Sequence, residues 1–327
     1  LSTLSGEDLE TFPHFGTIAG TLYYRLAAQD LLDSTPFPLR QLLKRYYREQ
    51  WARNERLAQV GAEVNGYYAA QSIPLLFLKG PHIALDYYGD LAARRMADLD
   101  LLVRKADLDR AEQVLLSNGF IRKTVIFPYR RFVIERALHH FVYQRAGVTI
   151  ELHWRVTPFP GARIVEDHIW ERQRAFSCGG TRAHTVNAEW TILLFILSLF
   201  SDIQQHIAAN LKGWGDLYTI LRKEYDTIHW GSFMAERAQE GTGPIVSYMI
   251  YELDRLFPCL DEMPELARAL TPPVWARKYS LLARHLRGGV LNALRNKQVG
   301  FRLWGKKEAA TWLWWLLTLP SRLIGHA

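Results

Sequence analysis

KGPHIALDYYGDLAARRMADLDLLV, residues 79–103, holds the pattern from which the rest of the chain can be read. Its last six residues, Asp98 to Val103, are an apolar run broken at alternate positions by acids, which suits a strand. Successive side chains of a strand point to opposite faces, so Asp98 and Asp100 share one face while Leu99 and Leu101 take the other. Two bare carboxylates ~7 Å apart along a strand repel each other, and a divalent cation relieves that repulsion. Oxygen ligands alone suit Mg²⁺ or Mn²⁺. Glu151, in the strand-like run Val148–Arg155, offers a third carboxylate if the two strands lie side by side, giving the acid set of two-metal phosphoryl transfer. The competing reading is a pair of solvated acids on an exposed face. Leu99, Leu101, Leu102 and Val103 favour an interior strand, where unpaired acids are costly. Arg94 and Arg95, just upstream, supply positive charge for phosphate.

The flanks alternate in type. Residues 39–70 carry apolar side chains every three to four positions (Leu42, Leu43, Tyr46, Tyr47, Trp51, Leu57, Val60, Val64), the period of an amphipathic helix, and Pro74 lies beyond its end. Leu75–Leu78 is too short for a helix and reads as a buried strand. Residues 81–88 form a short helix with Pro81 in its first turn. Residues 106–118 form another, stopped by Gly119. Phe120–Phe127, His140–Arg145 and Val148–Arg155 read as strands, the last two joined at Ala146-Gly147. From Glu189 onward the pattern is helical: Glu189–Phe200, Leu211–Arg222, Phe233–Gln239, Ile245–Phe257 and Val274–Leu286. The predicted organisation is an N-terminal helical region (residues 1–73), a mixed α/β core (74–188) and a C-terminal helical domain (189–327).

Composition bounds the alternatives. In 327 residues, 49% are hydrophobic and 22% charged, the usage of a folded protein and not of a disordered one. Two cysteines, Cys178 and Cys259, make no disulfide framework, and no CxxC or Cys/His cluster suggests zinc, which fits a reduced, cytoplasmic setting. The first residues, LSTLSGEDLETF, lack the apolar core of a signal peptide. GxSxG, GxxxxGK[ST] and GxGxxG are all missing, against hydrolase, P-loop and Rossmann readings. The formal charge of +7 is uneven: residues 271–327 hold ten Lys/Arg and one acid, a net +9, and residues 1–270 sum to −2. Five of the eleven Trp also fall in this tail. It reads either as a helix docked on the body or as a surface for an anionic partner, an acidic peptide or lipid headgroups, which would place the chain at the inner membrane. No nucleic-acid module accompanies it, so no specific nucleic-acid partner is expected.

Weaker candidates lie elsewhere. His153 shares the face of Glu151 and could be ligand, base or packed core. His139-His140 precedes a strand and points two ways, against a metal site there. His206 and Asp216 could line a cleft from the helical domain or be buried with partners.

Lys79-Gly80, Tyr87-Tyr88, Arg95, Asp98–Val103, Asn118-Gly119-Phe120 and Glu151-Leu152-His153-Trp154 together resemble the uncharacterised nucleotidyltransferase family of the polymerase β-like superfamily, common in bacterial polysaccharide and peptide natural-product gene clusters. Trp214 and Asp216-Leu217 extend the likeness. The resemblance implies an α+β fold, a small mixed sheet flanked by N-terminal helices and a C-terminal helical domain. It also implies metal binding by Asp98, Asp100 and Glu151, and phosphate binding by Lys79, Gly80, Arg94 and Arg95. Where most of that superfamily has Gly-Ser after its first strand, this chain has Lys79-Gly80 followed by Pro81. The expected reaction moves a nucleoside monophosphate from a triphosphate to a hydroxyl or phosphate of a peptide or sugar precursor, with Mg²⁺ or Mn²⁺. A nucleotide-sugar donor on the same metal site, or a non-catalytic protein holding a nucleotide or precursor peptide, are the alternatives.

Overall fold

A computed structural model describes residues 15–124, 135, 138–157, 159, 162–205 and 210–271. The chain divides into two compact units, one of residues 1–125, 140–155 and 173–186, the other of residues 126–139, 156–172 and 187–327. The predicted helix Val274–Leu286 and the basic tail lie outside the described residues.

The first unit is built on a mixed seven-stranded sheet. Its strands are β1 (Leu76–Phe77), β2 (Leu99–Leu102), β3 (Ile121–Arg122), β4 (His140–Arg145), β5 (Val148–His153), β6 (Gln173–Cys178) and β7 (Thr181–Val186), in spatial order β3-β4-β5-β2-β1-β7-β6. The pairs β2/β5 and β1/β7 are parallel and the others antiparallel. Helices α1 (Phe15–Ala28), α2 (Phe37–Ala70), α3 (Pro81–Ile83, continued by a π-turn at Ala84–Tyr88) and α4 (Leu108–Ser117) complete it. This is the expected α+β architecture, with α1 added ahead of the long amphipathic helix.

Two hairpins turn on residues with positive φ, as two-residue type I′ connections require. Ala146 (φ 47°) and Gly147 (φ 80°) join β4 to β5 as predicted, with Arg145 opposite Val148. Gly179 (φ 53°) and Gly180 (φ 80°) join β6 to β7, a hairpin the sequence reading passed over. Of the predicted strand Phe120–Phe127, only Ile121–Arg122 is strand among the described residues.

The fit of α2 to its neighbours shows in its polar residues as much as its apolar ones. Leu57, Val64 and Tyr68 are buried on α2, and Gly61 lets Phe77 and Cys178 approach the helix. Asn54, fully buried, donates from Nδ2 to the carbonyl oxygens of Leu91 (2.6 Å) and Arg94 (2.7 Å) and accepts from the Met96 amide. Gln50 donates to the Ala92 carbonyl, Thr21 of α1 to that of Ala93, and Tyr47 to the Asp90 carboxylate at 2.7 Å. These side chains fasten the loop 90–96 that leads into β2.

The second unit is helical: α5 (Glu166–Glu171), α6 (Ala188–Gln205), α7 (Leu211–Glu224), α8 (Trp230–Glu240), α9 (Gly243–Leu256) and α10 (Pro264–Ala269). Its core gathers Trp190, Phe200, Trp214, Phe233 and Tyr248. Arg237 is buried there, stacked 4.9 Å from the Trp190 ring and paired with Glu240 at 2.7 Å. Among the described residues, no helix is long and apolar enough to cross a membrane.

Candidate metal centre

Parallel pairing of β2 with β5 puts Asp100 directly opposite Glu151, so the two carboxylates stand on one face of adjacent strands. His153, two residues beyond Glu151, returns to that face. Its Nε2 lies 3.3 Å from Oδ1 of Asp100 and 3.5 Å from Oε2 of Glu151. One donor atom from each of the three residues lies within 4.8 Å of the others. His140 opens β4 opposite His153, with ring centroids 4.8 Å apart and Nε2 3.7 Å from Oε2 of Glu151.

The electrostatics of the group follow from its closeness. Burial alone would raise the Asp100 carboxyl, but the hydrogen bond from His153 and the charges of Lys79 and His153 hold it far below the usual range. Glu151 is lowered in the same way, its burial outweighed by His153 and His140. Burial disfavours an imidazolium at His153, yet bonds to both carboxylates win and lift its pKa to about 9. His140 moves down, chiefly by burial, with His153 adding repulsion and Glu151 opposing. Both acids are therefore ionised at neutral pH, and the imidazolium between them offsets their repulsion. Two carboxylates and a ring nitrogen with donor atoms within 4.8 Å of one another are a set that could hold a divalent cation in place of the imidazole proton.

The other predicted residues fall as follows. Asp98 lies in the bend just before β2, half-buried, and is not part of the trio whose donor atoms converge. Lys79 is half-buried, and its charge helps to lower Asp100. Gly80 has φ 101° and ψ −126°, a backbone region open only to glycine, and precedes Pro81 of α3. Arg94 is buried. Arg95 lines a cavity of about 180 Å³ with Gly16, Tyr46, Glu49, Gln50 and Arg53, and no member of the trio lines that cavity. His206 lies outside the described residues. Asp216 belongs to the second unit, fully buried on α7 and 3.2 Å from Lys212 Nζ of the same helix.

His140 is the residue that sequence reasoning dismissed. Its place is nevertheless set by the hairpin: counting outward from Ala146-Gly147, Arg145 meets Val148 and, five pairs on, His140 meets His153.

Residues 12–258 match the family described as uncharacterised nucleotidyltransferase, about three quarters of the chain. No curated protein matches significantly. Among solved structures, an antigenic nucleotidyltransferase-like protein from Paracoccidioides brasiliensis is similar at 15% identity and a TM-score of 0.39, over 68% of this chain and 97% of that one. By the extent of the family match, the chain belongs to the uncharacterised nucleotidyltransferase family.

Proposed function

We propose that the chain transfers a nucleoside monophosphate from a nucleoside triphosphate to a hydroxyl or phosphate of a biosynthetic intermediate, a peptide or sugar precursor, in the cytoplasm. The observation that supports this most directly is the register pair Asp100–Glu151, two ionised acids on adjacent parallel strands. Such a pair binds Mg²⁺ or Mn²⁺, which when bound screens the triphosphate and stabilises the charge of the departing pyrophosphate. Asp98, two residues before Asp100, adds a carboxylate at the edge of the site once a nucleotide arrives. Gly80 presents bare backbone to phosphate oxygens, and Lys79, Arg94 and Arg95 supply positive charge. The acceptor oxygen attacks the α-phosphorus in line, and its bond to phosphorus forms as the bond to pyrophosphate breaks. Residues 271–327, whose net +9 outweighs the −2 of the rest of the chain, are assigned to an anionic partner or surface.

The test is incubation of the full chain with each nucleoside triphosphate, a divalent cation and candidate acceptors, followed by pyrophosphate assay and mass spectrometry. A nucleotidyl mass on the acceptor, lost in Asp100→Asn and Glu151→Gln, is the expected result. A hexosyl increment from a nucleotide sugar would replace this reading, and metal-independent nucleotide binding with no product would overturn it.

A further inference from the structure

We propose that His153 is itself a metal ligand and that the centre therefore prefers a first-row transition ion, for which Mn²⁺ is the probe, over Mg²⁺. This rests on the reading of Asp100 and Glu151 as the metal-binding acids and goes further by naming the class of ion they take.

The geometry carries the argument. For an ion with ligands at about 2.1 Å, neighbouring donors of an octahedron stand about 3 Å apart and opposite donors about 4.2 Å. The Nε2 of His153 lies 3.3 Å from Oδ1 of Asp100 and 3.5 Å from Oε2 of Glu151, and all three donors fall within 4.8 Å. The set thus has the spacing of three positions around one ion after shifts of a few tenths of an ångström. A cation held by Asp100 and Glu151 meets His153 Nε2 because the nitrogen already stands between them.

Donor chemistry then selects the ion. Mg²⁺ takes oxygen and keeps its waters, whereas Mn²⁺ and its heavier neighbours accept imidazole nitrogen alongside carboxylate. An all-carboxylate centre would draw this distinction less sharply, and it would show no nitrogen ligation. His153 is buried at the end of β5, next to Trp154, whose ring packs against Phe141 at 4.4 Å, so it is set in place by the sheet and its packing. His140 has a different part. Its Nε2 stands 3.7 Å from Oε2 of Glu151, and its donor atom converges with those of His139 and His153, not with the Asp100–Glu151–His153 set, so here it is assigned to positioning the Glu151 carboxylate.

The experiment uses the full chain without a polyhistidine tag and without nucleotide. Calorimetric titration with Mn²⁺ and with Mg²⁺ gives the preference, and pulsed electron paramagnetic resonance of bound Mn²⁺ reports nitrogen ligation. The expected result is tighter binding of Mn²⁺, with modulation from an imidazole nitrogen that changes on ¹⁵N-histidine labelling. In His153→Asn the modulation disappears and Mn²⁺ binding weakens by more than about tenfold, while Mg²⁺ binding changes by less than about twofold. In His140→Asn the modulation persists. The labelled wild-type spectrum stands even if a variant misfolds. Bound Mn²⁺ without nitrogen modulation, modulation that follows His140 and not His153, or no Mn²⁺ binding at all would overturn the inference. Oxygen-only ligation with intact nucleotidyl transfer would sink this inference alone, and nitrogen-ligated Mn²⁺ with no nucleotide chemistry would sink the functional reading alone.

Discussion

The Asn54 side-chain amide and the Arg94 carbonyl oxygen, 40 residues apart in sequence, are joined by a buried 2.7 Å hydrogen bond that ties the long helix to the loop entering β2. With its contacts to Leu91 and Met96, Asn54 closes three backbone groups of that loop. Replacing it by Asp keeps the volume but turns the two donated bonds into oxygen–oxygen repulsions. Each unsatisfied buried group costs about 1–3 kcal/mol, so N54D is expected to lose about 3 kcal/mol or more in urea unfolding. A loss below about 0.5 kcal/mol would mean that the loop is held by other contacts.

Asp98 and Asp100 are expected to separate experimentally. Asp100 belongs to the trio of converging donors and Asp98 does not. D100N and E151Q should each weaken Mn²⁺ binding in the absence of nucleotide by more than about tenfold. D98N should leave that binding within about twofold while abolishing transfer, because its carboxylate is needed only when the nucleotide brings further charge. Equal loss of metal affinity in D98N and D100N would show that the two acids hold the ion together.

Much of this was legible in the chain, for identifiable reasons. The DLDLLV strand and the 39–70 helix have strong periods, and burial of Leu99, Leu101 and Leu102 enforces the first of them. The β6/β7 hairpin was missed because Gln173–Cys178 alternates weakly, with Arg174 on the face of Phe176 and Cys178 and Ala175 on the face of Gln173 and Ser177. Gly179-Gly180, both at positive φ, was the available signal. Of the site, Glu151 and the shared face of His153 were legible only on condition that the two strands lie side by side. Spacing along β2 paired Asp98 with Asp100, but the closest convergence runs across strands, from Asp100 to Glu151 and His153. Register between β2 and β5 is a tertiary property, and no local pattern encodes it.

Gly80 and Gly89 both have positive φ yet make different demands. At Gly80 an added Cβ would meet Leu99, Met96 and Asp98 at 3.7–3.9 Å, ordinary contact, so the obstacle is the backbone at φ 101°, ψ −126°. At Gly89 the backbone is left-handed helical, φ 74°, ψ 4°, which other residues reach at a cost of about 1–2 kcal/mol. Gly80→Ala is therefore expected to destabilise by about 2–3 kcal/mol, more than Gly89→Ala does, with thermal or urea unfolding as the measure. The reverse order would show that the turn at Gly80 relaxes when substituted.

His82 gives the chain an acid-side instability seated outside the metal trio. The ring is fully buried against Phe176, with centroids 5.6 Å apart, and neither nitrogen has a hydrogen-bond partner. Burial pushes its pKa well below 6.5, and the positive charges of Arg174 and Arg94 push it further, against a smaller pull from Asp100. The sign follows from linkage: the unfolded chain takes up a proton near pH 6.5 and the folded chain does not, so acid favours unfolding. His82 thus costs nothing above about pH 7, and below pH 6.5 it removes up to about 1.4 kcal/mol of stability per pH unit until the folded ring itself protonates. His82→Phe abolishes that contribution. Urea unfolding of the two chains between pH 7.5 and 5 should give curves whose difference widens steadily as the pH falls, the wild type losing more. A constant offset across that range would mean that the imidazole is solvated or paired when charged, and that its burial in the fold is incomplete.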